Sequence, residues 1–148
     1  QIDTVFTLLI NSFDAFEEAD KNYINIFLGF LLKYISFSGF KPNFKTCGRC
    51  GKKIGGKYMY FSPKESSAIC DECKDYVFDR VFMTYEEFVY FNKLLYTKSE
   101  ELKEIKLVDN YQKIGRIIID YCLLNLEIGI YPSLDWVKKA LERNVNVL

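Results

Sequence analysis

No histidine occurs among the 148 residues. The side chain that most often serves as general base or proton shuttle near neutral pH is therefore missing. The carboxylates are scattered over what read as helix surfaces, with Glu86-Glu87 and Glu100-Glu101 as capping and solvated-face charges, and no serine sits in a nucleophile-elbow pattern. An enzyme is not expected. Net charge is also absent, 20 basic residues balancing 20 acidic ones, so no global field draws the chain to nucleic acid or to an anionic membrane, and any such attraction has to be local. No apolar run is long enough to cross a bilayer, since Lys33 interrupts the best candidate. The N-terminus lacks the basic, apolar and small-residue order of a signal peptide. These gaps predict a soluble, cytoplasmic protein without a membrane partner. Internal repeats and low-complexity segments are missing as well.

What is present is enough apolar material for a core: 49% hydrophobic residues in a chain the size of one domain, or of one domain with an appendage. Aromatics reach 17%, almost all Phe and Tyr, so rings are expected to fill much of the interior. Five cysteines, an odd number with four in paired C-x-x-C units, fit metal binding in a reducing compartment better than a disulfide framework. The chain begins at Gln1, which suggests a fragment of a longer protein.

Periodicity predicts a mainly α fold. Val5, Leu8, Leu9, Phe13 and Phe16 recur at the spacing of one helical face, placing a first helix over Ile2 to Phe16. Asp20 is a candidate N-cap for a second, nearly all-apolar central helix with Tyr23, Ile26, Phe27, Phe30, Leu31 and Tyr34 on its leading face and Ile24, Leu28 and Ile35 beside it, stopped by Ser38-Gly39-Phe40-Lys41-Pro42. Thr84 and Glu87 have capping-box spacing ahead of a helix to about Tyr96. Ser99 is a candidate cap for a short charged helix to Lys106; Tyr111 to Ile128 reads as a long apolar helix, and Ser133 as the cap of a last helix carrying Trp136, Val137 and Leu141. Between these lies a segment short of helix signals, with Gly48, Gly51, Gly55, Gly56 and Pro63 and one strand-like run, Lys57 to Phe61. The expected organisation is a helical domain in two parts, 1–44 and 76–148, interrupted at 45–75 by a metal-stapled ribbon or hairpin that contributes minor β structure.

Cys47-Gly48-Arg49-Cys50 and Cys70-Asp71-Glu72-Cys73 are separated by 19 residues, the loop length of a zinc ribbon or rubredoxin-like knuckle. Each C-x-x-C turn places two thiolates on one side of a metal at about 2.3 Å, and two turns complete a tetrahedron with no position left for water. One structural Zn2+ held by Cys47, Cys50, Cys70 and Cys73 is expected, with iron as the alternative metal. Gly48 and Gly51 are expected to let the first turn fold around its sulfurs. Cys122, amid apolar helix residues, reads as a small hydrophobe. Residues 41–74 carry eight basic and three acidic side chains, a local surplus of positive charge. Arg49, Lys52, Lys53 and Lys57, interleaved with Tyr58, Tyr60 and Phe61, suit phosphate contact and base stacking; the other reading is a solvated hairpin whose rings pack on the helices. A second cluster, Lys138, Lys139 and Arg143 beside Trp136, reads as a solvated face or a partner site.

The order of these features, two apolar helices, then Gly39-Phe40-Lys41-Pro42-Asn43-Phe44, Cys47-x-x-Cys50-Gly51, a hairpin with Tyr60-Phe61, Cys70-x-x-Cys73 and further helices ending at a Tyr131-Pro132-Ser133-Leu134 turn, resembles the C-terminal region of the bacterial recombination and repair mediator family RecO. Ser66-Ser67-Ala68 stands where family members often carry a Gly-Gly pair, so the hairpin is expected to close differently. The resemblance implies, for a full-length protein that includes an N-terminal oligonucleotide-binding barrel, annealing of single-stranded DNA, partnership with RecR, and help in loading RecA onto DNA coated by single-stranded-DNA-binding protein. It also implies that the helical region receives the acidic, apolar C-terminal tail of that coating protein, for which Trp136, Lys138, Lys139 and Arg143 are candidates. Some relatives lack the cysteines, which makes zinc a shaping element. The alternative is a self-standing zinc-ribbon nucleic-acid-binding protein; a contiguous exposed face of insert lysines would favour it, and scattered lysines would favour the mediator.

Overall fold

A computed structural model describes residues 2–56 and 58–125. Its helices are α1 (Ile2–Glu18), α2 (Tyr23–Phe37), α3 (Tyr85–Tyr96) and α4 (Tyr111–Asn125), and its strands β1 (Tyr58–Ser62), β2 (Ser67–Ile69) and β3 (Val81–Thr84). Single 3-10 turns occupy Lys74–Tyr76 and Ser99–Glu104. The protein is thus a helical domain carrying a small sheet and a cysteine cluster. No described helix is long and apolar enough to cross a membrane.

Helix α2 is central, packing against α1, α3, α4 and the Ser99–Glu104 turn. Its buried side is Ile24, Leu28, Leu32 and Ile35 with Ile26 and Leu31, while Tyr23, Phe27, Phe30 and Tyr34 are only half-buried. The face expected from periodicity is therefore rotated: in a helix that is apolar all round, hydrophobicity alone does not say which stripe faces inward, and here the large rings take the rim and the aliphatics the centre. Gly29 sits where α2 is approached most closely, since an added Cβ would lie 2.6 Å from Leu102 Cδ1 and 3.2 Å from the Leu94 carbonyl oxygen. The helix ends as expected. Gly39 takes φ +98°, and the Phe40 and Gly39 amides bond to the Ile35 and Ser36 carbonyls at 3.1 and 3.2 Å, a Schellman ending.

Two caps differ from expectation. Asn22, not Asp20, precedes α2, in the left-handed region (φ 53°) that Asn tolerates, and its side chain caps nothing on its own helix. Its amide instead donates to the Lys103 and Ile105 carbonyls at 2.8 and 3.3 Å. Ser99 is buried and Lys98 holds the N-cap position of the turn that follows, with no side-chain cap. The neighbouring buried Asn25 donates to the Leu102 and Ile105 carbonyls at 3.1 and 2.8 Å and accepts from the Tyr90 hydroxyl at 2.6 Å. Two asparagines thus satisfy carbonyls at the end of the Ser99–Glu104 3-10 turn and at its C-cap Ile105, which run against α2, as buried backbone requires.

The capping box at α3 is formed in both directions: the Glu87 amide donates to Thr84 Oγ1 at 3.2 Å and the Thr84 amide to Glu87 Oε2 at 3.0 Å. Glu87 is more than a cap, since it is 3% exposed and also accepts from Lys113 Nζ at 2.8 Å and the Asn110 amide at 3.2 Å, joining α3 to α4. Burial alone would raise its pKa, but Lys113, the Thr84 amide and Asn110 outweigh burial and hold it below the usual carboxylate value. A depressed folded-state pKa means that this stabilisation is present above the unfolded-state value near 4.3 and is lost as pH falls through the lower folded value. Glu87→Gln is expected to lower unfolding free energy by about 2 kcal/mol at neutral pH. The difference from wild type should shrink on acidification below about pH 4, as followed by urea titrations at stepped pH; an equal deficit at pH 3 would contradict this role.

The sheet has strand order β2-β1-β3, all antiparallel, with Tyr60 opposite both Ile69 and Phe82. Strand β3 was not expected: four residues leading straight into a helix give little periodicity to read. Phe61, Ala68 and Met83 point into the helical core, where Phe61 and Phe44 meet Phe91 at centroid distances of 5.8 and 4.9 Å and Phe61 meets Tyr121 at 5.6 Å. The Tyr121 hydroxyl donates to the Phe40 carbonyl, fixing the junction between α2 and the cysteine segment.

Candidate metal centre

The two C-x-x-C turns are brought together by backbone pairing at the edge of β2. Asn43 forms a parallel bridge with Ser67, its amide and carbonyl bonding to Ser66 and Ala68 at 2.9 and 2.7 Å, while its side chain reaches Thr46 and Ser67. The chain then turns at Cys47, bridges Thr46 to Lys53, and closes with the Cys47 amide on the Lys52 carbonyl at 2.8 Å and the Gly51 amide on the Cys47 carbonyl at 2.9 Å. Gly51 has φ +77° and needs glycine for its backbone conformation. Gly48 is needed for proximity: its amide bonds to the Ala68 carbonyl at 2.9 Å, and an added Cβ would meet Ser67 Cβ at 2.7 Å. On the other side β2 delivers Cys70, and the Cys73 amide bonds to the Cys70 carbonyl at 3.1 Å as the 3-10 turn begins.

The Ser66-Ser67 variation closes the hairpin in its own way. Ser66 takes φ +52°, a conformation that costs a glycine little. The turn is held from outside by Asp79, which accepts from Ser62 Oγ at 2.7 Å and the Lys64 amide at 2.8 Å.

The Sγ atoms of Cys47, Cys50, Cys70 and Cys73 all lie within 4.8 Å of one another, and Cys50 and Cys70 are 3.7 Å apart. Metal–sulfur bonds of about 2.3 Å in a tetrahedron require sulfur separations of about 3.8 Å, so the cluster has the dimensions of a closed S4 shell. Cys47 is buried, Cys70 and Cys73 are half-buried and Cys50 is exposed; none forms a disulfide. Their protonation behaviour also suits a cation. Burial opposes the Cys47 thiolate, but amide donors from Cys70, Cys50 and Arg49 prevail and bring its pKa down to about 6, including the Arg49 amide at 3.4 Å from Sγ. Cys73 is pushed up to about 12 by desolvation and by its neighbouring sulfurs, and Cys70 is raised as well. One thiolate forms readily and discourages the next, a repulsion that a divalent ion at the centre would cancel. Four cysteines can therefore hold one metal ion.

Around the cluster the basic residues are largely engaged. Lys52 pairs with Glu72 at 2.6 Å and Lys74 with Asp71 at 2.8 Å, while Arg49 lies over the Tyr76 ring at 5.3 Å. Such exposed pairs contribute little stability but do locate charge. Lys53 is exposed and has no ion pair among the described residues. Lys57, Trp136, Lys138, Lys139 and Arg143 lie outside the described residues, as do Gly129, Pro132, Ser133 and the last helix expected after them. Cys122 is 2% exposed in α4, its thiol 3.8 Å from the Leu31 carbonyl and pushed up to about 12 by burial, far from the other four in role. Periodicity did not single out Phe82, which β3 places against Tyr58 and Tyr60; the β-branched and aromatic residues of Val81-Phe82-Met83-Thr84 were the available signal.

Residues 1–135 match the family described as recombination protein O, C terminal. The chain belongs to this family. Similar proteins, each named DNA repair protein RecO, include those of Caldanaerobacter subterraneus subsp. tengcongensis (28% identity over 130 residues, 87% of this chain and 51% of the relative), Alkaliphilus metalliredigens (26% over 137, 91% and 55%) and Thermoanaerobacter sp. (28% over 138, 91% and 54%). The chain thus spans about half the length of the curated RecO relatives it matches. No solved structure matches it.

Proposed function

We propose that this chain is the C-terminal module of a cytoplasmic recombinational DNA repair mediator, that it has no catalytic activity of its own, and that it holds one structural zinc while acting through partners. The observation that carries the reading is the RecO C-terminal match over residues 1–135, joined to four cysteines spaced for a closed shell. In this reading the module helps a RecO-like protein bind single-stranded DNA, RecR and the C-terminal tail of single-stranded-DNA-binding protein, and so promotes RecA loading. The zinc shapes the junction between the sheet and the helices and carries out no chemistry.

The placement of charge supports partner binding over a self-standing nucleic-acid ribbon. Lys52, Lys74 and Arg49 are tied to Glu72, Asp71 and Tyr76 and do not form one free basic face. With zero formal charge overall, few counterions would be released from a polyanion. A short acidic tail ending in an aromatic residue and a carboxylate needs only two or three cations beside an apolar surface, a requirement that Trp136, Lys138, Lys139 and Arg143 are proposed to meet.

The test is a titration of labelled tail peptide and labelled oligonucleotide against one zinc-loaded preparation at about 0.15 M salt, where charges beyond roughly 8 Å are screened. The peptide is expected to bind in the micromolar range, about −7 to −8 kcal/mol, and more tightly than the oligonucleotide. Neutralising Lys138 and Lys139, or removing the terminal aromatic residue of the peptide, should weaken it. Tighter oligonucleotide binding that depends on Lys52 and Lys53 would reverse the assignment.

A further inference from the structure

The sheet lies between two different layers. Its inner face, with Phe61, Ala68 and Met83, is part of the helical core. On its outer face Ile69 is covered by the cysteine turns, forming a small cluster with Cys47 and Val77 against which Tyr60 packs. The remainder of that face, the β1–β3 half, has no covering layer among the described residues. It carries Tyr58, 51% exposed, and Phe82, 43% exposed, with Tyr60 between the metal cluster and Phe82. The three rings touch, Phe82 being 5.5 Å from Tyr58 and 5.8 Å from Tyr60 between centroids. Neither Tyr58 nor Phe82 belongs to either buried cluster.

Cross-strand contact explains why Tyr60 and Phe82 face each other. It does not explain why a contiguous aromatic surface stays in water with cations around it. Lys74 Nζ lies 5.6 Å from the Tyr60 centroid and Lys113 Nζ 5.7 Å from that of Phe82. Lys53 shares with Tyr58 and Tyr60 a cavity of about 240 Å3. Two exposed rings flanking a half-buried one, with ammonium groups beside Tyr60 and Phe82 and a further lysine near Tyr58, supply the aromatic and cationic groups that a chain of bases joined by phosphates engages.

We propose that the outer sheet face at Tyr58, Tyr60 and Phe82 is a stacking platform for the bases of a single-stranded nucleic acid, with Lys53 meeting the phosphate backbone. This deepens the single-strand part of the function proposed above by placing a contact on this module. Lys74 and Lys113 are already paired with Asp71 and Glu87, so they hold positive charge beside the rings while adding little net charge. Binding here is therefore driven by stacking, and its salt dependence is shallow, with a log–log slope of about −1, in contrast to a basic groove that neutralises many phosphates.

The experiment is fluorescence anisotropy of the zinc-loaded chain with labelled oligothymidylate and with an abasic oligonucleotide of equal length. Wild type is expected to bind oligothymidylate measurably and the abasic strand at least tenfold more weakly. Tyr58→Ala with Phe82→Ala should weaken oligothymidylate binding at least tenfold at unchanged zinc content and circular dichroism. Tyr96→Ala, which removes an exposed ring at the far end of α3, should have no effect. Lys53→Gln should flatten the salt slope. Equal binding of abasic and base-bearing strands, wild-type affinity in the double variant, or no binding by wild type at millimolar protein would each overturn the proposal. These outcomes leave the tail-peptide titration untouched, since the peptide has no bases and its proposed residues lie elsewhere in the sequence.

Discussion

Cys47→Ser is expected to abolish stoichiometric metal binding and to release the backbone of residues 46–53 and 70–77 while leaving most of the helical signal. The small cluster beneath the cysteines consists of Cys47, Ile69 and Val77 with a few half-buried neighbours, too little apolar surface to hold two C-x-x-C turns in place. Metal binding in zinc-finger peptides contributes an apparent ~10–16 kcal/mol at neutral pH, and an ion held here would be the main staple of this layer. The sheet itself keeps an independent anchor, because Phe61, Ala68 and Met83 belong to the helical core. Hydrogen exchange with and without chelator reads the difference: amides such as those of Cys47, Gly48 and Gly51, bonded to the Lys52, Ala68 and Cys47 carbonyls, should lose protection, whereas those of α2 and α4 should retain it. Cys122→Ser serves as the control, leaving metal content unchanged because that thiol is buried in α4. Full retention of protection in the turns after complete metal removal would show that the staple is not metal.

The second large effect is expected at Asn25. Asn25→Leu keeps the number of side-chain heavy atoms but leaves the Tyr90 hydroxyl without its partner inside the core, while the Leu102 carbonyl keeps only the Ile105 amide and the Ile105 carbonyl only the longer bond from Asn22. A buried polar group left unpaired costs about 1–3 kcal/mol and the two carbonyls that each lose one donor add to it, so a loss of about 3 kcal/mol and a Tm drop of roughly 10 °C are expected. Burial also holds the Tyr90 phenol well above its ordinary pKa, so it acts as a donor throughout the accessible pH range. Adding Tyr90→Phe should recover part of the loss, because the stranded hydroxyl disappears with its former acceptor. Urea denaturation of the four members of this cycle measures the coupling. A single variant as stable as wild type, or a double variant showing the plain sum of both losses, would contradict the role assigned to Asn25.

The features legible in the sequence are those whose partners lie close along the chain. Thr84 and Glu87 are three residues apart, so the capping box could be read directly, and the Gly39 ending follows from one residue type after an apolar run. The four cysteines were legible because C-x-x-C spacing is itself a geometric statement. Asn22 and Asn25 were not, because their acceptors lie about 80 residues away on the Ser99–Ile105 segment and no local pattern announces them. Asp20 and Ser99 matched the residue preference for caps, yet long-range bonding and burial determined the actual helix starts. Strand β3 was hidden for a related reason: its identity comes from pairing with β1, whose partner residues lie 20 to 26 positions earlier. The open aromatic face at Tyr58, Tyr60 and Phe82 is a product of that pairing, so neither strand reveals it alone.

The role proposed for the two C-x-x-C turns of this RecO-family module rests on a closed, structural S4 metal centre. X-ray absorption at the zinc edge, combined with elemental analysis of protein purified without chelator, tests it most directly. One zinc per chain with four sulfur neighbours at about 2.3 Å and no lighter ligand is expected. Intact thiols without stoichiometric metal, or a shell in which oxygen or nitrogen replaces a sulfur, would contradict it.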